Sequence, residues 1–187
     1  MAPDHPPTSD ADLRERTVGE APPHEAPIAL AEYDPRWPGR FAGEAERIRR
    51  ALGPVRVEHV GSTSVPGLCA KPVLDVLLVV ADSAAERDYV PALEAAGYAL
   101  RIREPDWFEH RMLTRADPAV NLHVFSAGAA EIDRMLRFRD RLRAHDADRD
   151  AYARAKRDLA RRTWRHVQHY AEAKTAVVEE ILDRAGE

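Results

Sequence analysis

Cysteine is nearly absent: the 187-residue chain holds Cys69 alone, so no internal disulfide can form, as expected for a reducing compartment. No apolar run approaches the ~20 residues that a membrane-spanning helix needs. The first residues lack the basic-then-apolar order of a secretory leader. Cytoplasmic residence without a membrane partner is the resulting expectation. Tight His-x-x-x-His spacing is missing too, which leaves a helical zinc motif without support. Lysine is almost as rare as cysteine. Of 28 basic residues only Lys71, Lys156 and Lys174 are lysine. A chain with so strong an arginine habit keeps lysine where a compact ammonium is useful, unless three accidents are at work.

What is present suits one domain with a real core, since 44% of residues are hydrophobic. The net charge of −4 hides an asymmetry: residues 134–174 carry thirteen basic groups against six acids, so an anion is expected near them. Solvated helix faces are the plainer alternative. Residues 1–26 are acidic, proline-rich and aperiodic, and read as a disordered tail without chemistry before a domain over 27–187.

Asp34-Pro35 reads as a helix start, with Trp37, Phe41, Ile48 and Leu52 at helical spacing up to Gly53-Pro54. Val55 to Val60 alternates like a strand, and Val73 to Val80 reads as a strand covered on both faces. Ser83 and Glu86 can form a capping box for a helix ending at Gly97. Three further strands are expected over 98–103, 111–115 and 121–125, with turn residues between them. The last 57 residues contain no proline and one glycine, Gly186, so they should be helical, with breaks near His145-Asp146 and near His166. The sum is an α+β mixed sheet with packed helices and a helical C-terminal region. A TIM barrel or doubly wound sheet would need β–α repeats that are missing.

Between the first two strands lies Gly61-Ser62-Thr63-Ser64. A glycine that permits a tight turn, followed by three hydroxyls and successive backbone N–H groups at a strand end, has the layout of a phosphate cradle. Asp75 is a carboxylate inside an apolar strand, where it either caps the neighbouring loop or holds a cation. Helical periodicity puts Arg139, Lys156 and Lys174 on the inward faces of their helices. Convergence on an anion is one reading. The others are snorkelling and ion pairs with Asp75, Glu58 or Asp140. His123 alternates with Leu122 and Val124, facing either the cleft of Asp75 or solvent. Cys69 reads as a small buried hydrophobe, since no redox motif or base accompanies it.

The string Glu58-His-Val-Gly-Ser-Thr-Ser-Val-Pro-Gly-Leu-Cys-Ala-Lys-Pro-Val-Leu-Asp75 resembles the GrpB family, a branch of the nucleotidyltransferase superfamily typified by DNA polymerase beta. Asn121-Leu-His-Val124, Phe138-Arg-Asp140, Tyr152 with Lys156, and Tyr170 with Lys174 extend the resemblance over about residues 28 to 184. It implies a nucleotidyltransferase-like fold in which Gly61, Ser62, Thr63 and Ser64 hold the phosphates of a nucleoside triphosphate. Asp75 and Ser62 would be catalytic, with Asp75 and Glu58 as Mg²⁺ ligands. Lys71, Arg111, His123, Arg139, Lys156 and Lys174 would contact the nucleotide. Transfer of a nucleotidyl group to an acceptor is the implied activity. One departure counts against it: the second acid usual in this superfamily, two residues after Asp75, is Leu77 here. Family members also occur fused to dephospho-CoA kinase, which implies the alternative of an accessory module that binds a nucleotide or a CoA precursor. Nucleic acid is the weaker partner, because inward cations suit a compact anion and the chain is acidic overall.

Overall fold

The computed structural model describes residues 9–19 and 28–186. Five strands form one mixed sheet: β1 (Arg56–Val60), β2 (Leu74–Val80), β3 (Ala99–Glu104), β4 (His110–Arg115) and β5 (Val120–Ser126). Their spatial order is β1-β2-β5-β4-β3, with β2 and β5 parallel and every other pair antiparallel. This is the α+β mixed sheet with packed helices expected from the sequence.

Alternation along β2 decides what each face meets. Leu74, Val76 and Leu78 point to one face, where they join Leu122 and Val124 of β5 and pack on Trp37, Ala45 and Ile48 of helix α2 (Trp37–Leu52) and Leu93 of α3 (Val90–Ala95). Asp75 and Leu77 point to the other. There Leu77, Val60 and Phe125 are covered by Ile132 of α4 (Ala130–Ala144), while the end that holds Asp75 stays open. Beyond α4 follow α5 (Asp146–Ala160), α6 (Val167–Glu172) and α7 (Thr175–Ala185). Both expected breaks occur, and a third separates α6 from α7. Among the described residues no helix is long and apolar enough to cross a membrane.

Three local expectations need correction. Helix α2 begins at Trp37 with Pro38 in its first turn, because the Asp34 carboxylate is taken up by the Arg36 backbone N–H and guanidinium. No capping box forms at Ser83. Its hydroxyl meets Ser126, Glu86 receives Arg103 and Arg111, and α3 starts only at Val90, where Pro91 fits the first turn. The tail read as disordered contains helix α1 (Asp10–Arg16), closed by a capping box between Ser9 and Asp12. Thr17 then bridges to Ile102, and Val18 N–H donates to Arg101 O, so this stretch joins the β3 edge of the sheet. The rest of the tail, residues 1–8 and 20–26, lies outside the described residues.

Candidate functional site

The turn after β1 is built around glycine. Gly61 has φ +64°, and a Cβ there would lie 2.3 Å from Asp75 Oδ2, so no other residue fits without moving the carboxylate. Ser62–Ser64 then makes one 3-10 turn. The turn is locked from beneath: the Ser64 hydroxyl donates back to Gly61 O at 2.6 Å, and Thr63 Oγ1 sits 3.0 Å from His59 Nε2. The Ser62 hydroxyl pairs with Tyr152.

Above this turn opens a cleft of about 540 Å³. Gly61, Ser62, Thr63 and Asp75 line one side, and Asn121 and His123 of β5 line the floor. Lys71, Lys156 and Lys174 line it from the loop before β2, from α5 and from the α6–α7 junction. The three lysines of the chain therefore meet in one cavity, as the sequence reading allowed. Asp75 is the only carboxylate among the described lining residues.

None of these ammonium groups has a carboxylate partner within salt-bridge distance among the described residues. Lys156 is buried and donates to Cys69 O. Burial first, and the charge of Lys174 second, push its pKa down to about 7. Lys174 lies 4.7 Å over the Tyr170 ring, and burial lowers its pKa against the pull of Asp75. Lys71 is shifted the same way, by burial first. For Asp75, burial raises the pKa, but hydrogen bonding to His123 and Asn121 outweighs it, and the carboxyl is held below its ordinary range. The buried Tyr170 hydroxyl, also lining the cleft, has no hydrogen-bond partner among the described residues. A polar, anionic occupant would satisfy both that hydroxyl and the lysines.

Four expected site residues are elsewhere. Arg111 pairs in register with Val124 and so points to the opposite face, where it binds Glu86 at 2.6 Å. Arg139 reaches across the first strand to Glu58 at 3.0 Å and to His59 O, and lines a different cavity. Glu58 is thereby removed from Asp75: it stands opposite Leu77 in register, with Arg139 and Arg56 on its carboxylate. Ser64 turns its hydroxyl into the loop and lines that other cavity.

Several residues of the cleft went unread. Asn121 Nδ2 donates to Asp75 Oδ1 at 3.0 Å, and His110 stands behind His123 at 3.1 Å. Leu13 and Thr17 line the cleft from the N-terminal segment. Asp10 fastens that segment to His166 at 3.1 Å and to Arg165. Strand alternation counted from Met112, which lines the cleft, would have pointed to His110 two residues earlier.

A family profile described as GrpB protein matches residues 27–184. The chain belongs to the GrpB family. It is 65% identical over 181 residues to a UPF0157 protein of Halalkalibacterium halodurans, covering 96% of this chain and 93% of the relative. The crystal structure of conserved protein GrpB from Enterococcus faecalis aligns with 84% of this chain and 96% of its own, at 30% identity and a TM-score of 0.74. A dephospho-CoA kinase of Mycolicibacterium paratuberculosis is 30% identical over 188 residues, which span 86% of this chain and 46% of the kinase.

The donor set around Asp75 does not match the Mg²⁺ that the resemblance implies. Beside Asp75 the second-acid position is the fully buried Leu77, and Glu58 is held by Arg139. Among the described residues no group of three histidine, cysteine or carboxylate side chains could hold a metal ion. The residues do not fit a two-ion site.

Proposed function

We propose that the cleft binds a nucleoside triphosphate or a similar phosphate-bearing small molecule, with the cradle backbone and the lysines on its phosphates. The observation that carries this reading is the charge balance of the cavity: three lysines and one carboxylate around about 540 Å³. Ammonium groups shielded from water and left without a counter-charge weaken the fold, and an entering anion offsets that cost. Ser62 and Thr63 add backbone N–H groups at the end of the cleft where Gly61 lets the main chain approach closely. A cleft of this size with inward-facing ammonium groups suits a compact anion better than a nucleic-acid backbone. A reducing, cytoplasmic setting belongs to the same reading and is supported by the single buried thiol of Cys69.

Two narrower readings divide on metal. Transfer of a nucleotidyl group is favoured by Asp75, which abuts the cradle glycine. An accessory module that binds a nucleotide or a CoA precursor is favoured by the 30% identity to a dephospho-CoA kinase and by a cleft that offers cations more than carboxylates. The test is a thermal-shift screen of ATP, GTP, CTP, UTP and dephospho-CoA, each with and without Mg²⁺. Stabilisation without metal supports the binding module. Stabilisation that requires Mg²⁺ and is lost in Asp75→Ala supports the transferase, and no stabilisation by any of the five contradicts the phosphate reading.

A further inference from the structure

The cleft changes character along the sheet. Asp75 and Asn121 line it on β2 and β5 beside the cradle, whereas farther out its floor is Met112 of β4 and Ile102 of β3. Register fixes this order: Leu77 pairs with His123, His123 with Met112, and Met112 with Ile102, so these side chains form one row across the face that carries Asp75. Leu77 is fully buried under Ile132. Met112 and Ile102 are only half-buried and belong to none of the hydrophobic clusters among the described residues.

The N-terminal segment supplies a further apolar side chain. Leu13 is half-buried on α1, a helix without any buried residue, and lines the cleft with Thr17. Thr17 commits its hydroxyl to Leu13 O at 2.5 Å, so that donor is not open to a ligand. One helical turn after Leu13, Thr17 also bridges to Ile102, which sets Leu13 at the β3 end of the cleft. The segment is tied down before and after Leu13. Asp10 meets His166 and Arg165, while Arg16 meets Glu104 at 3.1 Å and Val18 N–H donates to Arg101 O at 2.7 Å. These residues precede the stretch 27–184 that matches the family profile, so this part of the wall comes from sequence that the profile does not cover.

We infer that Leu13, Ile102 and Met112 form a subsite for the flat aromatic ring of the phosphate-bearing ligand, a nucleobase. The inference rests on the cleft holding such a ligand, and it adds the class: a phosphate ester whose ring lies at the opposite end from its phosphates. Length supports it. Strands β4 and β3 stand two and three places from β2, about 10 Å and about 14 Å at ordinary strand spacing. A lone phosphate held by the cradle and the lysines reaches neither, and about 540 Å³ is far more room than such an ion fills. Chemistry supports it as well. Aliphatic side chains and a methionine thioether pack on the faces of a ring, and half-buried apolar surface is stabilised when a ring covers it. Gln168 also lines the cleft, and its amide offers both a donor and an acceptor to the polar edge of a base, which an alkyl chain could not use.

The test has two arms, both on the full chain. Calorimetry compares ATP, GTP, CTP and UTP with inorganic tripolyphosphate, which has the phosphates without the ring, once in a chelator and once with Mg²⁺. In at least one condition, one nucleotide should bind at least about tenfold more tightly than tripolyphosphate. Leu13→Ser and Met112→Thr should each remove most of that preference and leave tripolyphosphate affinity within about twofold. The first lies on a helix without buried residues and remains usable if the second fails to fold. In the second arm the methionine methyl groups carry ¹³C, and base protons of the preferred nucleotide should show nuclear Overhauser contacts to the Met112 methyl. Tripolyphosphate binding without preference for any nucleotide overturns this inference alone. So does a preference that both variants keep, or a bound base without contact to Met112. A wild-type protein that binds neither tripolyphosphate nor any nucleotide overturns the phosphate reading and this one with it.

Discussion

The cradle turn separates two cation-lined cavities that differ in how their charges are answered. On one side Arg139, Arg143 and Arg149 line about 520 Å³ together with Glu58, His59 and Ser64. Each guanidinium there has a fixed acceptor: Arg139 holds Glu58 and Asp140, Arg143 holds Ser64 O at 2.9 Å, and Arg149 holds Asp146 at 3.0 Å. On the other side the three lysines have no carboxylate partners among the described residues, and all three pKa values are lowered by burial. The flat, five-donor guanidinium suits permanent pairing that braces the turn from below. The ammonium, a point charge on a flexible stem, is kept where the counter-charge is to arrive from outside.

The largest effect should come from the turn itself, which both cavities share. Gly61→Ala forces a Cβ onto Asp75 in a left-handed backbone conformation, and should lower stability by at least about 2 kcal/mol in chemical denaturation. Next, Lys156→Met should weaken phosphate binding more than about tenfold and yet stabilise the empty protein by about 1–3 kcal/mol, because it removes a desolvated charge. The arginine side predicts the reverse. Arg139→Met should destabilise the fold by about 1–2 kcal/mol and leave phosphate affinity within about twofold, since it removes the bonds to Glu58 and His59 O without touching the lysine cleft. A loss of affinity in Arg139→Met as large as in Lys156→Met would erase the contrast between the two cavities.

The smallest effect is a pH dependence. Sulfate keeps its charge across neutrality, so its affinity should fall by about threefold from pH 6 to 8 as Lys156, with a pKa of about 7, loses its proton. Stability should move the other way. The folded pKa of Lys156 lies below that of the unfolded chain, so between roughly 7 and 10 the unfolded state binds a proton that the native state lacks, and this group makes stability rise with pH. Both slopes should flatten in Lys156→Met, measured by titration calorimetry and by urea denaturation.

The strands, the cradle and the inward lysines were legible because each rests on a local period or on turn chemistry. Arg111 was misread although its own strand carried the signal: Leu113 shares its parity and is fully buried against the helices on the far face. Arg139 does lie inward, as its period required, but it reaches Glu58 and His59 O on the edge strand β1, a choice of partner that helical spacing does not make. The pairing of His110 with His123 needs the register of two strands, which the twelve intervening residues do not encode locally. Helix α1 was invisible for a different reason. Leu13 is the one large apolar residue in a charged stretch, and its place is set by tertiary contacts at Thr17, Val18 and Asp10.

The most direct test of the unpaired-lysine account is calorimetric titration of inorganic tripolyphosphate, in the presence of a chelator, into wild type, Lys156→Met and Lys174→Met. One site should saturate in the wild type without metal, and each variant should bind more than about tenfold more weakly while staying folded. Absent binding in the wild type, or unchanged binding in both variants, would contradict it.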